Sequence, residues 1–462
     1  MKNQREHWGS KLGFILAATG SAIGLGNIWK FPYIAGENGG AAFIFIYLIC
    51  IAIIGLPVLI AEILVGRTTQ RNPVGAFKAL SGSRLWTAVG GMGVLAGFVI
   101  LSFYSVVAGW SLGYIFEALK GTFAEFSSAD LAGEHFNLLV SNVQWVIGFH
   151  LIFFLLTMVV VYAGVQNGIE RGSKIMMPML FCILIALVIR GLTLPGAGAG
   201  MNFLWNPDWS KVTPTAVLVA LGHAFFTLSL GMGAMMTYGS YMSKKDSIPG
   251  ASLQIVFFDT LIALLAGIAI FTAVFATGQD PAAGPGLIFQ TLPAVFAKMP
   301  GGYIFGILFF LLLTIAALTS AISLLEVVVA YFVDERDWSR HWAVLVFGLV
   351  LILVGIPSAL SFNLLADWKL FGKTYFDLAD FLASNILLPL GGLAIAVFVA
   401  WIWGLDKVLV QLKSGAEELF DLFPNRIKLL TFFLKYISPV LIFLVLLNSI
   451  GLLPMIISWF SN

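Results

Sequence analysis

Apolar residues fall in long stretches along the whole chain, separated by short polar connections. A helix of about 20 such residues crosses a hydrocarbon core of roughly 30 Å. Reading each stretch as a helix predicts eleven spans, at residues 11–36, 41–66, 86–118, 144–164, 174–192, 214–243, 251–277, 303–333, 340–360, 376–404 and 430–455. No connection is long enough to hold a soluble domain. The chain therefore reads as an all-α membrane protein with one transmembrane domain over residues 1–462.

The pattern breaks in two places. The first span contains Thr19-Gly20-Ser21-Ala22-Ile23-Gly24-Leu25-Gly26-Asn27, where each glycine costs about 1 kcal/mol against alanine in a helix and Asn27 adds an amide at membrane depth. The sixth contains Phe226-Thr227-Leu228-Ser229-Leu230-Gly231-Met232-Gly233, two glycines beside hydroxyls. In hydrocarbon, irregular backbone survives only where protein buries it or it lines a cavity. Breaks in the first and sixth of ten helices predict two inverted five-helix halves, 11–192 and 214–404, with 430–455 as an additional helix. Secondary transporters follow this pattern. Broken helices also supply chemistry. Free N–H groups at half-helix N-termini suit a carboxylate, and unwound carbonyls with Asn, Thr and Ser oxygens suit an ammonium group or an alkali cation. The alternative is close helix packing, since Gly20 and Gly24 have the small-xxx-small spacing.

Composition supports the membrane reading: the chain is 60% hydrophobic and 10% charged, whereas soluble domains are about a quarter charged. A net charge of +2 points to no nucleic-acid partner. The placement of charge says more. With the N-terminus cytoplasmic, inside segments hold 17 of the 25 Lys and Arg residues (among them Lys2, Arg67, Arg171, Lys174 and Arg426), outside loops hold 5, and Lys30, Arg190 and Lys435 fall within or at the ends of spans. This satisfies the positive-inside bias and puts Asn462 outside. Cys50 and Cys182 both lie in spans, which leaves packing as their role. Met1 to Ala22 resembles a cleaved signal peptide only superficially, because its apolar run is short and Glu6 interrupts the basic region.

Arg5-Glu6-His7-Trp8, Gly20 to Asn27, Phe31-Pro32, Glu37-Asn38-Gly39-Gly40, Phe225 to Gly231 and Leu318-Thr319-Ser320 together resemble the neurotransmitter:sodium symporters, in particular their bacterial LeuT-like members. The resemblance covers nearly the whole chain and implies a LeuT-like 5+5 inverted repeat. It implies one sodium site, Na1, from the Ala22 carbonyl, Asn27, Thr227 and Asp259, completed by a substrate carboxylate. It implies a second, Na2, from the carbonyls of Gly20, Ile23 and Ala316 and the hydroxyls of Thr319 and Ser320. The substrate carboxylate is expected at the Leu25 and Gly26 N–H groups and the Tyr104 hydroxyl. The ammonium is expected at the carbonyls of Ala22, Phe226 and Thr227 and the Ser229 hydroxyl. Ile100, Tyr104, Phe226, Ser229, Met232, Ser320 and Leu324 would form the side-chain pocket. Lys30 and Asp380 would form the outer gate, and Arg5 and Asp334, with Trp8 nearby, the inner one. Glu62 would hold the unwound part of the sixth helix, in keeping with the functional role expected of an intramembrane carboxylate.

Departures from the LeuT-like pattern narrow the expectation. Asp259 stands where that pattern has Asn, and Ala263, one turn on, replaces a Glu. Chloride-dependent relatives are neutral at both places and bind the anion there. A sodium ion in a low-dielectric site needs negative charge nearby, and Asp259 supplies it, so transport is expected without chloride; the alternative is a protonated, merely hydrogen-bonded Asp259. Lys30 replaces an Arg with a compact point charge, which predicts a looser or water-bridged outer gate. Met232 replaces an aromatic, and methionine fills irregular gaps. A similar Gly-Met-Gly occurs in a bacterial symporter for many hydrophobic amino acids. His223, where the pattern has Gln, is either a proton link or a neutral core residue.

The expectation is a multi-pass transporter of the plasma (inner) membrane, C-terminus extracytoplasmic, not an enzyme. It would carry hydrophobic L-amino acids, aromatic and branched aliphatic, into the cell with Na+ by alternating access. No Walker A pattern supports an ATP-driven pump and no HExxH supports an intramembrane hydrolase. A sensor would share the ligand residues but lack the inner gate, and a channel would not enclose its solute between two gates.

Overall fold

The computed structural model describes residues 5–281, 284–422, 424–453 and 455. Lys2 and Asn462, and the side chain of Arg426, lie outside the described residues. Among those described, regular structure is helical apart from an isolated bridge between Leu370 and Lys373. Among the described residues nine helices are long and apolar enough to cross a membrane: Ala41–Thr69, Arg84–Leu119, Val143–Tyr162, Val165–Leu192, Ile248–Ala276, Gly302–Arg336, Arg340–Leu360, Tyr375–Lys413 and Ile427–Ser449. The bent pair Lys11–Ala22 and Gly26–Glu37 makes a tenth span. The shorter apolar helix Pro214–Thr227, with Ala234–Gly239 beyond it, occupies the sixth predicted position. Each predicted span thus has its helix; most ends move by a turn or less, but the fifth starts at Val165 rather than 174 and the tenth ends at Lys413 rather than 404.

Both expected breaks are present. The first span starts at Ser10, whose hydroxyl caps the Gly13 N–H at 3.0 Å. It stops at Ala22, because Ile23 is extended (φ −75°, ψ 103°), and the axis turns by 48° before continuing. The sixth span opens on Thr213 and Pro214, a cap followed by a residue preset for the first turn. It unwinds after Thr227 because Ser229, Gly231 and Gly233 all have positive φ (54°, 80° and 75°). Glycine at 231 is required twice over: its φ is left-handed, and a Cβ there would run into the Leu388 backbone.

Among the described residues, five of the spans contain wide π turns, at Gly26–Lys30, Ile51–Gly55, Val165–Glu170, Phe381–Leu387, Phe398–Gly404 and Phe433–Ile437, two of them in the span Tyr375–Lys413. Four of these sit just ahead of Pro32, Pro57, Pro389 and Pro439. A proline ring lacks an N–H and clashes with the carbonyl four residues back, and widening the preceding turn relieves both problems.

The eighth span, Gly302–Arg336, packs along the third, Arg84–Leu119, as the central pair of the bundle. The first half of the broken first span leans on the fifth, seventh and eighth spans, and so is surrounded by protein as its polar backbone requires. Large apolar side chains such as Leu85, Val159, Phe257 and Leu349 face outward, as they do in a protein whose solvent is lipid. The connections are not bare: Ala129–Ser141, Ala197–Trp205 and Thr291–Lys298 form short helices in them. Cys50 is buried, but Cys182 is exposed on the bundle surface, so the packing role expected of it does not hold. Arg67 is not an ordinary surface cation either. It is 1% exposed and donates to the carbonyls of Asp246 (2.5 Å), Ser414 (3.0 Å) and Gln411, clamping two connections to the end of the second span.

Candidate binding site between the two breaks

The break in the first span faces the break in the sixth across a small pocket lined by Ser21, Ala22, Gly24, Leu25, Gly26, Ile100, Tyr104, Phe226, Ser229, Met232, Ser320 and Leu324. Of the residues expected to contact the substrate, all line it except Thr227, which sits behind it with Asp259. Ser21 and Gly24 complete the lining, and the sequence reading missed both. Gly24 is forced by proximity: a Cβ there would meet the Ser320 hydroxyl and stand 2.8 Å from the Tyr104 hydroxyl. Its place between the two other glycines of the run was the available signal.

Two clusters of oxygens flank this pocket. In the first, Asn27 donates through Nδ2 to Asp259 Oδ1 (2.8 Å) and to the Asp259 carbonyl (3.1 Å). Thr227 Oγ1 lies 3.1 and 3.3 Å from the two carboxylate oxygens, and Gly24 N–H donates to Asn27 Oδ1 at 3.2 Å. Asn27, Thr227 and Asp259 are all buried. In the second, Thr319 Oγ1 lies 3.0 Å from the Ala316 carbonyl and 3.5 Å from that of Ile23. Ser320 Oγ lies 3.1, 3.4 and 3.5 Å from the carbonyls of Ser21, Ile23 and Gly20. Both clusters are built of hard oxygen donors without sulfur or imidazole, the chemistry of an alkali cation rather than a transition metal.

Two pocket groups have partners that differ from the expected ones. The Ser229 hydroxyl donates to the Ser21 carbonyl at 2.8 Å, tying the two breaks together. The Leu25 N–H donates to the Tyr104 hydroxyl at 3.2 Å. Glu62 is fully buried and accepts from the Gly231 N–H at 2.6 Å, which fixes the unwound strand of the sixth span. His223 is 2% exposed and neither ring nitrogen has a hydrogen-bond partner among the described residues. It stacks on Phe31 and leans against Tyr47, an aromatic setting that suits a neutral ring.

The two ends of the pocket differ. At one end Arg5 pairs with Asp334 and donates to the Ser240 hydroxyl. Trp8 donates to the Tyr238 carbonyl through its indole (2.9 Å) and to the Tyr241 carbonyl through its backbone (3.1 Å). At the other end Lys30 and Asp380 line one vestibule with Trp29, Tyr33 and Phe376, but they form no ion pair among the described residues. Lys30 Nζ lies 4.7 Å from the centre of the Phe226 ring, and Asp380 accepts from Ser384 at 2.7 Å. The sequence reading missed a further network beside Arg5. Arg340 binds Glu326 through both nitrogens (2.7 and 2.8 Å) and Glu6 at 3.0 Å, and Tyr241 donates to Glu326 at 2.6 Å. The signal was Glu326, a further carboxylate within a predicted span.

Two facing helix breaks, with oxygen clusters beside a pocket gated at both ends, define a secondary carrier. The chain belongs to the sodium:neurotransmitter symporter family, whose model matches residues 5–130 and 139–457; it is a sodium-dependent, multi-pass membrane symporter of a small molecule. It is 44% identical over 446 residues to the sodium-dependent transporter YhdH of Bacillus subtilis, covering 96% of this chain and 98% of that one. It is 26% identical to the human sodium- and chloride-dependent taurine transporter, over 91% of this chain and 74% of the relative. The crystal structure of MhsT in complex with L-phenylalanine superposes with a TM-score of 0.88 at 47% identity, covering 96% of this chain and all of that one. The architecture is thus the LeuT-like inverted repeat.

Proposed function

We propose that this protein carries hydrophobic L-amino acids, aromatic and branched aliphatic, into the cell together with two sodium ions and without chloride. The observation that carries this reading is the juxtaposition in one pocket of apolar walls (Ile100, Phe226, Met232 and Leu324) with the polar breaks of the first and sixth spans. The amino acid's carboxylate would lie at the Leu25–Gly26 backbone and Tyr104 and complete the Na1 site of Ala22, Asn27, Thr227 and Asp259. Na2 would take Gly20, Ile23, Ala316, Thr319 and Ser320. The separations of 3.0–3.5 Å in that second cluster are mostly longer than strong O–H···O bonds and fit oxygens arranged around a common cation.

Sharing the carboxylate couples sodium and substrate affinities reciprocally. The helices carrying the breaks would then rock against the scaffold between an outer gate at Lys30 and Asp380 and an inner gate at Arg5, Trp8 and Asp334, with Glu62 holding the unwound strand. The 11–192 and 214–404 halves would form the carrier and 430–455 an added helix, in an inner membrane with a cytoplasmic N-terminus and extracytoplasmic C-terminus. Asp259, a carboxylate fixed at the first cluster, supports chloride independence, although the human relative is named chloride-dependent. The similarity to a structure holding L-phenylalanine supports an aromatic substrate.

Reconstitution in liposomes tests the proposal. Labelled phenylalanine and leucine should accumulate only under an inward sodium gradient, compete with each other, and continue to accumulate when gluconate replaces chloride. Uptake without sodium, or lost with chloride, would refute the corresponding part.

A further inference from the structure

Beside the Arg5 end of the bundle lies a groove of about 560 Å³, lined among others by Lys78, Arg84, Tyr331, Glu335 and Arg336. It has two walls. One is the helix Pro73–Ser81 and the start of the third span at Arg84; the other is the end of the eighth span. Lys78, Arg84 and Arg336 are exposed and form no ion pair among the described residues. The one carboxylate in the lining, Glu335, is already engaged by Asn72 Nδ2 at 3.2 Å. Arg84 opens a long helix whose cap residue, Ser83, makes no side-chain cap bond. That leaves first-turn N–H groups and the positive helix end on the same side as the three cations. The groove therefore sets three cations and a positive helix end against one carboxylate, a net excess of positive charge.

Its level in the bundle identifies the anion. Arg84 is the first residue of a membrane span, the next residue, Leu85, is 70% exposed, and Trp86 packs partly against the core. An apolar outward side chain and a tryptophan directly beside a cationic groove are the pattern of a headgroup-level interface.

We propose that this groove binds the phosphate of an acidic phospholipid, and that the bound lipid steadies the closed inner gate. The link to the gate runs through Asn72, which is fully buried. Its backbone N–H and Nδ2 reach Asp334 (2.9 and 3.2 Å), the partner of Arg5. The same Nδ2 reaches Glu335, and its Oδ1 caps Val74 and Gly75 (2.9 and 3.1 Å). Asn72 thus already staples the two walls together at the gate residue. A phosphate held by Lys78 and Arg84 on one wall and Arg336 on the other is a second staple across the same seam. Removing it frees the eighth-span terminus, and Asp334 with it.

The test uses the full chain. Native mass spectrometry of the detergent-solubilised protein counts phosphatidylglycerol and phosphatidylcholine adducts, which requires no knowledge of the transported solute. Phosphatidylglycerol should bind in preference, and each of Lys78→Gln, Arg84→Gln and Arg336→Gln should weaken it roughly fivefold, with an unchanged Tm showing that the fold is intact. In vesicles, the triple variant should lose the difference in sodium-driven uptake between phosphatidylglycerol and phosphatidylcholine membranes. Equal adduct counts for the native and triple-variant proteins would overturn the proposal. So would displacement of the lipid by millimolar glycerol phosphate, which would mark a site for soluble phosphate instead.

Discussion

At the scale of single residues, three positions in the site have effects that can be separated. Gly24 is where an added methyl group meets both Ser320 and Tyr104. Overpacking of this kind costs about 1–3 kcal/mol, so Gly24→Ala should weaken sodium-dependent amino-acid binding roughly tenfold or more while Tm stays high. Equilibrium binding of labelled phenylalanine in detergent checks this. Asp259 acts through charge. Asp259→Asn keeps the shape and the acceptor for Asn27 but removes the anion, and a unit charge near a cation in a poorly screened site is worth several kcal/mol. The variant should need at least about tenfold more sodium for half-maximal uptake, and chloride should partly restore it. A variant with unchanged sodium dependence would rule out direct charge compensation. Met232 acts through shape. Met232→Phe should reduce binding of the bulkiest substrates selectively, measured as the ratio of tryptophan to leucine affinity; an equal loss for both would contradict a pocket wall there.

At the scale of elements, the unwound stretch of the sixth span depends on Glu62. The Gly231 N–H has no helical partner, and its carboxylate acceptor at 2.6 Å comes from another span. Leaving a buried N–H unsatisfied costs about 1–3 kcal/mol. Glu62→Ala should therefore lower stability by about that amount and speed hydrogen exchange around residues 228–233, whereas Glu62→Gln, which keeps an acceptor, should lose less. The elements also show how far the sequence could be read. Both breaks were legible because glycines beside hydroxyls have no cheap place in a lipid-facing helix. Most of the pocket lining was legible because specific motifs carried it over residue by residue. The π turns were not read, although four of them sit one turn before a proline and obey a local rule. The Arg340–Glu326–Glu6 network and the Arg67 clamp were out of reach for a different reason. Their partners are separated by up to hundreds of residues, and nothing in a local pattern states which carboxylate or carbonyl a cation will find.

At the scale of the whole molecule, the two ends of the pathway differ in how firmly they are held. The inner end combines the Arg5–Asp334 ion pair and two Trp8 hydrogen bonds, one from its indole and one from its backbone, both drawn from distant parts of the chain, with a buried Arg340–Glu326 pair. The outer end has Lys30 over an aromatic ring and Asp380 bound to a serine. A double-mutant cycle on Lys30 and Asp380, read from Tm or binding, should give a measurable coupling below about 1 kcal/mol, as for a loose or water-bridged pair; no coupling would rule the pair out as the outer gate. A larger value would mean that the pair closes directly in the loaded state.

The fixed position of Asp259 bears on energetics as well as on binding. A carboxylate that belongs to the protein stays behind when sodium and a zwitterionic solute leave together. In the proposed cycle each inward step therefore moves positive charge with no accompanying anion, and turnover is an electric current. In that cycle membrane potential adds directly to the driving force for accumulation, by about 2.3 kcal/mol per charge for every 100 mV, with no contribution from a chloride gradient.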